Sequence, residues 1–124
     1  MKFKINNCNW EIKEMSQSEI RDMFTKNNCN IDEFGMYFGV TFFNDQTILI
    51  DESLCKERKI ITLIHELMHC YIGSFAHHIE KQFSEEDVCD YVANSHFIIA
   101  DIIKQYCEVL NGEQTTETGS AITP

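Results

Sequence analysis

The stretch "KIITLIHELMHCYIG", Lys59 to Gly73, sets His65, Glu66 and His69 inside an otherwise apolar run. Ile60, Ile61, Ile64, Leu67, Met68, Tyr71 and Ile72 recur at helical spacing, which predicts a helix starting between Ser53 and Arg58, with Gly73 as its natural terminator. On a helix His65 and His69 are i and i+4, so their rings stand one above the other on one face. Glu66 lies about 100° round from His65. That is a poor place for a third ligand of the same ion and a good one for touching a water bound to it. H-E-x-x-H is therefore two metal ligands and a general base on one rigid element. At average residue usage a chain this long contains the pattern by chance only on the order of a few times in a thousand.

Outside this run the chain reads as a single domain of 124 residues with one modest core. "FKI" and "WEI" near the start suggest a short strand interrupted by the Asn-rich "NNCN". Ser16 to Asn28 predicts a short helix, with Ser16 and Glu19 as a capping box and Ile20, Met23 and Phe24 as its apolar stripe. Tyr37 to Asp51, "YFGVTFFNDQTILID", predicts a β-hairpin turning at "NDQ". "SEEDVCDYVANSHFIIADIIKQYCEVL" predicts a long helix capped by Ser84 with Asp87. Its expected apolar face is Val88, Tyr91, Val92, Phe97, Ile98, Ile99, Ile102, Ile103, Tyr106 and Leu110. The domain is expected to span residues 1–110, with 111–124 a polar, frayed tail.

Charge and cysteines narrow the function classes. A formal charge of −10, with no basic cluster longer than "KERK" at Lys56 to Lys59, argues against nucleic acid and against an anionic membrane surface. No run approaches the ~18–20 apolar residues of a membrane span. "MKFKINNCNWEIKE" has no apolar core of a signal peptide. Six cysteines at 8, 29, 55, 70, 89 and 107 form no C-x-x-C pair, and several fall in apolar helical patterns. Free thiols and a reducing, cytoplasmic setting are the expectation.

A catalytic metal site needs a third protein ligand beside an open position. Phe75 stands where a metzincin-type third histidine would fall, and Cys70 points to another face than His69 and reads as core. His77 and His78, in the loop after the motif helix, are alternative ligand candidates, and His96 reads as a structural or outer residue. Glu86 opens the next helix, and Asp90 follows at i+4, placed to accept the free N–H of a ligating histidine. Glu86 is the expected third ligand and Glu85 its nearest rival. Tyr71, Tyr91, His77 and His78 are the available oxyanion donors.

"TILIDESL…ITLIHELMHC…EEDVCDYVANSHF" resembles the small phage and mobile-element zinc metallopeptidases related to the ImmA/IrrE-like and SprT-like families, the minigluzincins. The likeness runs from about Gly39 to Ile99. It implies an α+β, minimal zincin-like fold: a three-stranded sheet, a motif helix and a glutamate helix, with zinc between the helices. It implies His65, His69 and Glu86 as zinc ligands, Asp90 as the supporting acid and Glu66 as the catalytic base. The strand Thr47 to Ile50 would lie near the cleft, where an edge strand pairs with an extended protein or peptide substrate. The function so implied is a zinc-dependent metallopeptidase acting on a specific regulatory protein. The competing reading is a catalytically inactive, zinc-stabilised binding module.

Overall fold

The computed structural model describes residues 1–27, 29, 36–75 and 83–116. These form three helices and a four-stranded sheet, an α+β architecture with one strand more than the resemblance implies. Strands β1 (Lys2–Ile5), β2 (Cys8–Met15), β3 (Gly39–Phe42) and β4 (Thr47–Asp51) lie in the order β1-β2-β4-β3. The helices are α1 (Gln17–Lys26), α2 (Lys56–Phe75) and α3 (Glu85–Thr116). None of them is long and apolar enough to cross a membrane.

The additional strand comes from the N-terminus. "FKI" and "WEI" are not one interrupted strand but two antiparallel ones, with Ile5 opposite Cys8. Asn6 and Asn7 turn between them at φ 50° and 63°. Asn tolerates that left-handed region, and two such residues make the turn whose twist suits a hairpin. The Asn6 side chain then donates to the Ser74 carbonyl at 3.1 Å and ties the turn to the end of α2.

Strand β4 is the middle of the molecule. It pairs parallel to β2 and antiparallel to β3, and all five of its residues are buried. Ile48 and Ile50 face α2 and α3, packing with Trp10, Ile12, Leu63 and Leu67. Leu49 faces the other way, against Ile20 of α1 and Phe42. Burial on both faces explains why "TILI" is a continuous apolar run instead of an alternating one. It also corrects the expected edge. The strand Thr47 to Ile50 is interior, and among the described residues the sheet edge next to it is β3.

Helix α1 forms as its capping box requires. The Ser16 hydroxyl accepts from Glu19 N–H, and Glu19 Oε1 accepts from Ser16 N–H. The Ser16 N–H and, at 3.0 Å, the Ser16 hydroxyl both donate to the Glu19 carboxyl and hold it below its usual range. Helix α3 begins the same way, with Ser84 and Asp87 bonding reciprocally at 3.0 and 3.1 Å. It continues through Asn111 to Thr116, so those residues are helix and not frayed tail; residues 117–124 lie outside the described part.

Helix α2 does not stop at Gly73 but runs to Phe75. Gly73 is there for space: a Cβ at that position would collide with the ring of Phe43. Buried Leu63, Glu66, Leu67, Cys70 and Tyr71 face the molecule's interior, while Ile61 and Ile64 are exposed. Helix α3 packs along α2 through buried Ser95, Ile99, Ile102, Tyr106 and Leu110. The Ser95 hydroxyl lies 3.6 Å from Met68 Sδ, and Tyr91 stands edge-on to Tyr71, so the two helices run antiparallel. Val88, Val92, Phe97 and Ile98, expected in the apolar face, are exposed.

Candidate metal centre

The three motif side chains come together as the helical spacing requires. His65 Nε2 and His69 Nε2 are 3.2 Å apart, with the rings edge-to-face. The His65 side chain is 68% exposed, whereas that of Glu66 is 8% exposed. Two nitrogens at this separation, each about 2.0–2.1 Å from one ion, subtend about 100–106° there, close to a tetrahedral angle. The same distance suits a hydrogen bond between the two rings. What a ring-to-ring bond does not call for is the buried carboxylate beside them.

That carboxylate is oriented. Thr41 Oγ1, on β3, donates to Glu66 Oε1 at 2.8 Å. The other oxygen, Oε2, lies 3.9 Å from His65 Nε2 and accepts no hydrogen bond among the described residues. A buried carboxylate with one oxygen tied and the other turned toward two imidazoles is fit to take a proton from a water held there. Gly39 permits the approach: a Cβ on it would lie 2.6 Å from Thr62 Cγ2, 3.1 Å from Leu49 O and 3.2 Å from Glu66 Cγ. Thr41 and Gly39 escaped the sequence reading. Their only trace was the hairpin, whose register against a helix 25 residues away is not written locally.

The other expected participants stand apart. Glu86 and Asp90 are exposed on α3, about 140° and 180° round the helix from buried Ile99; Glu85 is about 40° away. Asp87 is occupied with Ser84. Among the described residues no three His, Cys, Asp or Glu side chains converge as a complete ligand set. The structure therefore brings together His65, His69 and Glu66 and does not bring Glu86 or Asp90 to them. His96 is exposed against the Phe97 ring, and His77 and His78 lie outside the described residues. Tyr71 is buried against Phe75 and Tyr91, and Tyr91 also meets Phe83, so both tyrosines serve an aromatic cluster.

Cys70 is fully buried behind the motif. Burial pushes its thiol up to about 12, so it is a neutral core residue, as its position suggested.

The chain matches no protein-family model, no curated protein and no solved structure.

Proposed function

We propose that this chain is a zinc-dependent peptidase with a minimal zincin-like fold, in which Glu66 is the general base. The observation that carries the reading is the convergence of His65 Nε2 and His69 Nε2 at 3.2 Å beside a buried, Thr41-oriented Glu66. Two neutral imidazoles with that spacing and a nearby carboxylate fit a zinc ion in donor type and angle. When bound, zinc lowers the pKa of a coordinated water and polarises a carbonyl oxygen. Glu66 Oε2 accepts the attacking water's proton and returns it to the leaving amine. Burial and the Thr41 bond hold the carboxylate in place for both transfers.

The third ligand, in this reading, is Glu86, with Asp90 supporting the outer nitrogen of a ligating histidine; both are exposed and face away from the packed side of α3, so the first turns of α3 would have to turn toward the pair when zinc binds. The acidic first turns of α3 supply the required oxygen donors, and a carboxylate offsets charge that two neutral histidines leave. Glu85, nearer the packed face of α3, is the competitor. An extended protein or peptide substrate, in a reducing, cytoplasmic setting, pairs with the free edge of β3 beside Glu66.

The test compares wild type with Glu66→Gln for zinc content and for cleavage of a randomised peptide mixture. The proposal expects both to hold zinc and only wild type to cut. Equal cleavage by Glu66→Gln overturns the general-base role, and zinc retention without any cleavage favours the binding-module reading. Glu86→Ala should lose zinc severely and Glu85→Ala hardly at all; the reverse order reassigns the ligand.

A further inference from the structure

Arg58, Ile61, His65 and His69 form one stripe along α2, at i, i+3, i+7 and i+11. Arg58, Ile61 and both histidines are exposed. The stripe runs beside β3. At one end the Arg58 guanidinium lies over the Phe38 ring, 5.9 Å from its centroid, just before the strand begins. In the middle Thr41 reaches Glu66, and beyond it Phe43 packs where Gly73 leaves room. Strand β3 therefore runs in the same direction as α2, and its outer edge, unpaired among the described residues, follows the stripe.

Arg58 is unlike its neighbours in "KERK". Lys56 donates to Asn111 at 2.8 Å and Lys59 to Glu14 at 2.6 Å. Among the described residues Arg58 has no carboxylate partner. In a chain of net charge −10, it is a cation held over the Phe38 ring, at the end of β3 from which the stripe runs to the histidine pair.

Resting on the peptidase reading above, we infer that Arg58 selects substrates carrying a carboxylate about three residues C-terminal to the bond at the His65–His69 site. The spacing follows from geometry. Arg58 and His65 are seven residues apart, about 10.5 Å along a helix, which an extended peptide covers in about three residues. The direction follows from strand pairing. An antiparallel peptide on β3 is the more stable addition, and it places the peptide's C-terminal side at Phe38 and Arg58. An Asp or Glu side chain and the peptide's own terminal carboxylate present the same fork to the guanidinium. Exposed Ile61, between Arg58 and His65, gives the intervening residue an apolar floor.

The probes are fluorescein-labelled decapeptide mixtures free of acidic residues except for one scanned Glu, matched mixtures with Gln there, and short peptides ending as acid or amide. Binding is read by anisotropy on zinc-loaded Glu66→Gln, with and without Arg58→Ala, and cuts by wild type are located by mass spectrometry. The expected preference for Glu over Gln is about two- to fivefold, the range of an exposed ion pair, and it weakens with salt. It peaks about three residues C-terminal to the cut, disappears in Arg58→Ala, turns toward Lys in Arg58→Glu, and survives Lys104→Ala, which removes an exposed cation of α3 outside the stripe. An acid preference confined to free C-termini assigns Arg58 to the terminal carboxylate. A preference that persists in Arg58→Ala, or lies N-terminal to the cut, overturns the inference. Arg58-dependent Glu binding without cleavage refutes the peptidase reading while leaving the carboxylate site. Cleavage blind to acid does the opposite, and absence of both overturns both.

Discussion

Thr41 and Glu66 are joined by a 2.8 Å hydrogen bond from a strand hydroxyl to a helix carboxylate, 25 residues apart in the chain. That bond decides which oxygen of Glu66 faces the histidines. Thr41→Val keeps the shape and removes the donor. It should destabilise the fold by about 1–3 kcal/mol, because Glu66 Oε1 stays buried without a partner. Zinc should be retained, and kcat should fall roughly two- to tenfold as the base loses its fixed orientation. Zinc analysis with urea melts and steady-state kinetics checks all three; an unchanged kcat would show that Thr41 has no positioning role.

The histidine pair gives the metal prediction. Purified protein should carry about one zinc per chain, and His65→Ala or His69→Ala should abolish it. An ion held only by the folded pair would stabilise the native state, so a chelator should lower the melting temperature of wild type and leave the His65→Ala, His69→Ala double variant unmoved. Stoichiometric zinc in that double variant would refute the site.

Gly39 makes a steric prediction. Its missing side chain lets β3 approach Thr62 and Glu66, and an added Cβ would also meet the Leu49 backbone carbonyl at 3.1 Å. Gly39→Ala should cost about 1–3 kcal/mol by overpacking. The denaturation midpoint would fall without a change in m-value. A midpoint equal to wild type would show that the strand shifts freely.

Asp51 predicts a pH dependence. Burial raises its carboxyl, but the Ser53 backbone, the Gln17 amide, the Ser53 hydroxyl and the charge of Lys59 together outweigh that and hold it below its ordinary 3.8. A depressed folded value means the unfolded chain binds the proton first. The stabilisation is complete above the ordinary value and is lost as pH falls through it toward the folded value. Asp51→Asn should therefore lower stability at neutral pH and flatten the acid limb of a stability–pH curve measured by urea denaturation. An acid limb as steep as wild type would assign the slope to other carboxylates.

Cys70 predicts thiol behaviour. Its folded value near 12 lies above the ordinary 9.0, so the unfolded chain loses the proton first and stability falls as pH rises past 9. In the native state Cys70 should resist iodoacetamide while exposed Cys8 and Cys55 react. Peptide mapping after timed labelling reads this directly, and early modification of Cys70 would mean that α2 opens locally.

What the sequence determined by itself is what depends on neighbours a few residues away. The His65–His69 pair, Glu66 beside it and the capping boxes of Ser16 with Glu19 and Ser84 with Asp87 follow from helical pitch and local hydrogen bonding, which the residue spacing encodes. The Tyr37–Asp51 hairpin was legible for the same reason, since its strands are joined by one short turn. Tertiary structure alone decided the rest. It placed β4 in the interior and β3 at the edge, because that depends on which faces α1, α2 and α3 cover. It chose Thr41 as the partner of Glu66, and it made Gly73 a seat for Phe43 instead of a helix stop. It also left Val88, Val92 and Phe97 in solvent, although their spacing allowed a buried face. Periodicity states which side chains share a face; only long-range packing, which removes one face of each element from water, states where that face is buried.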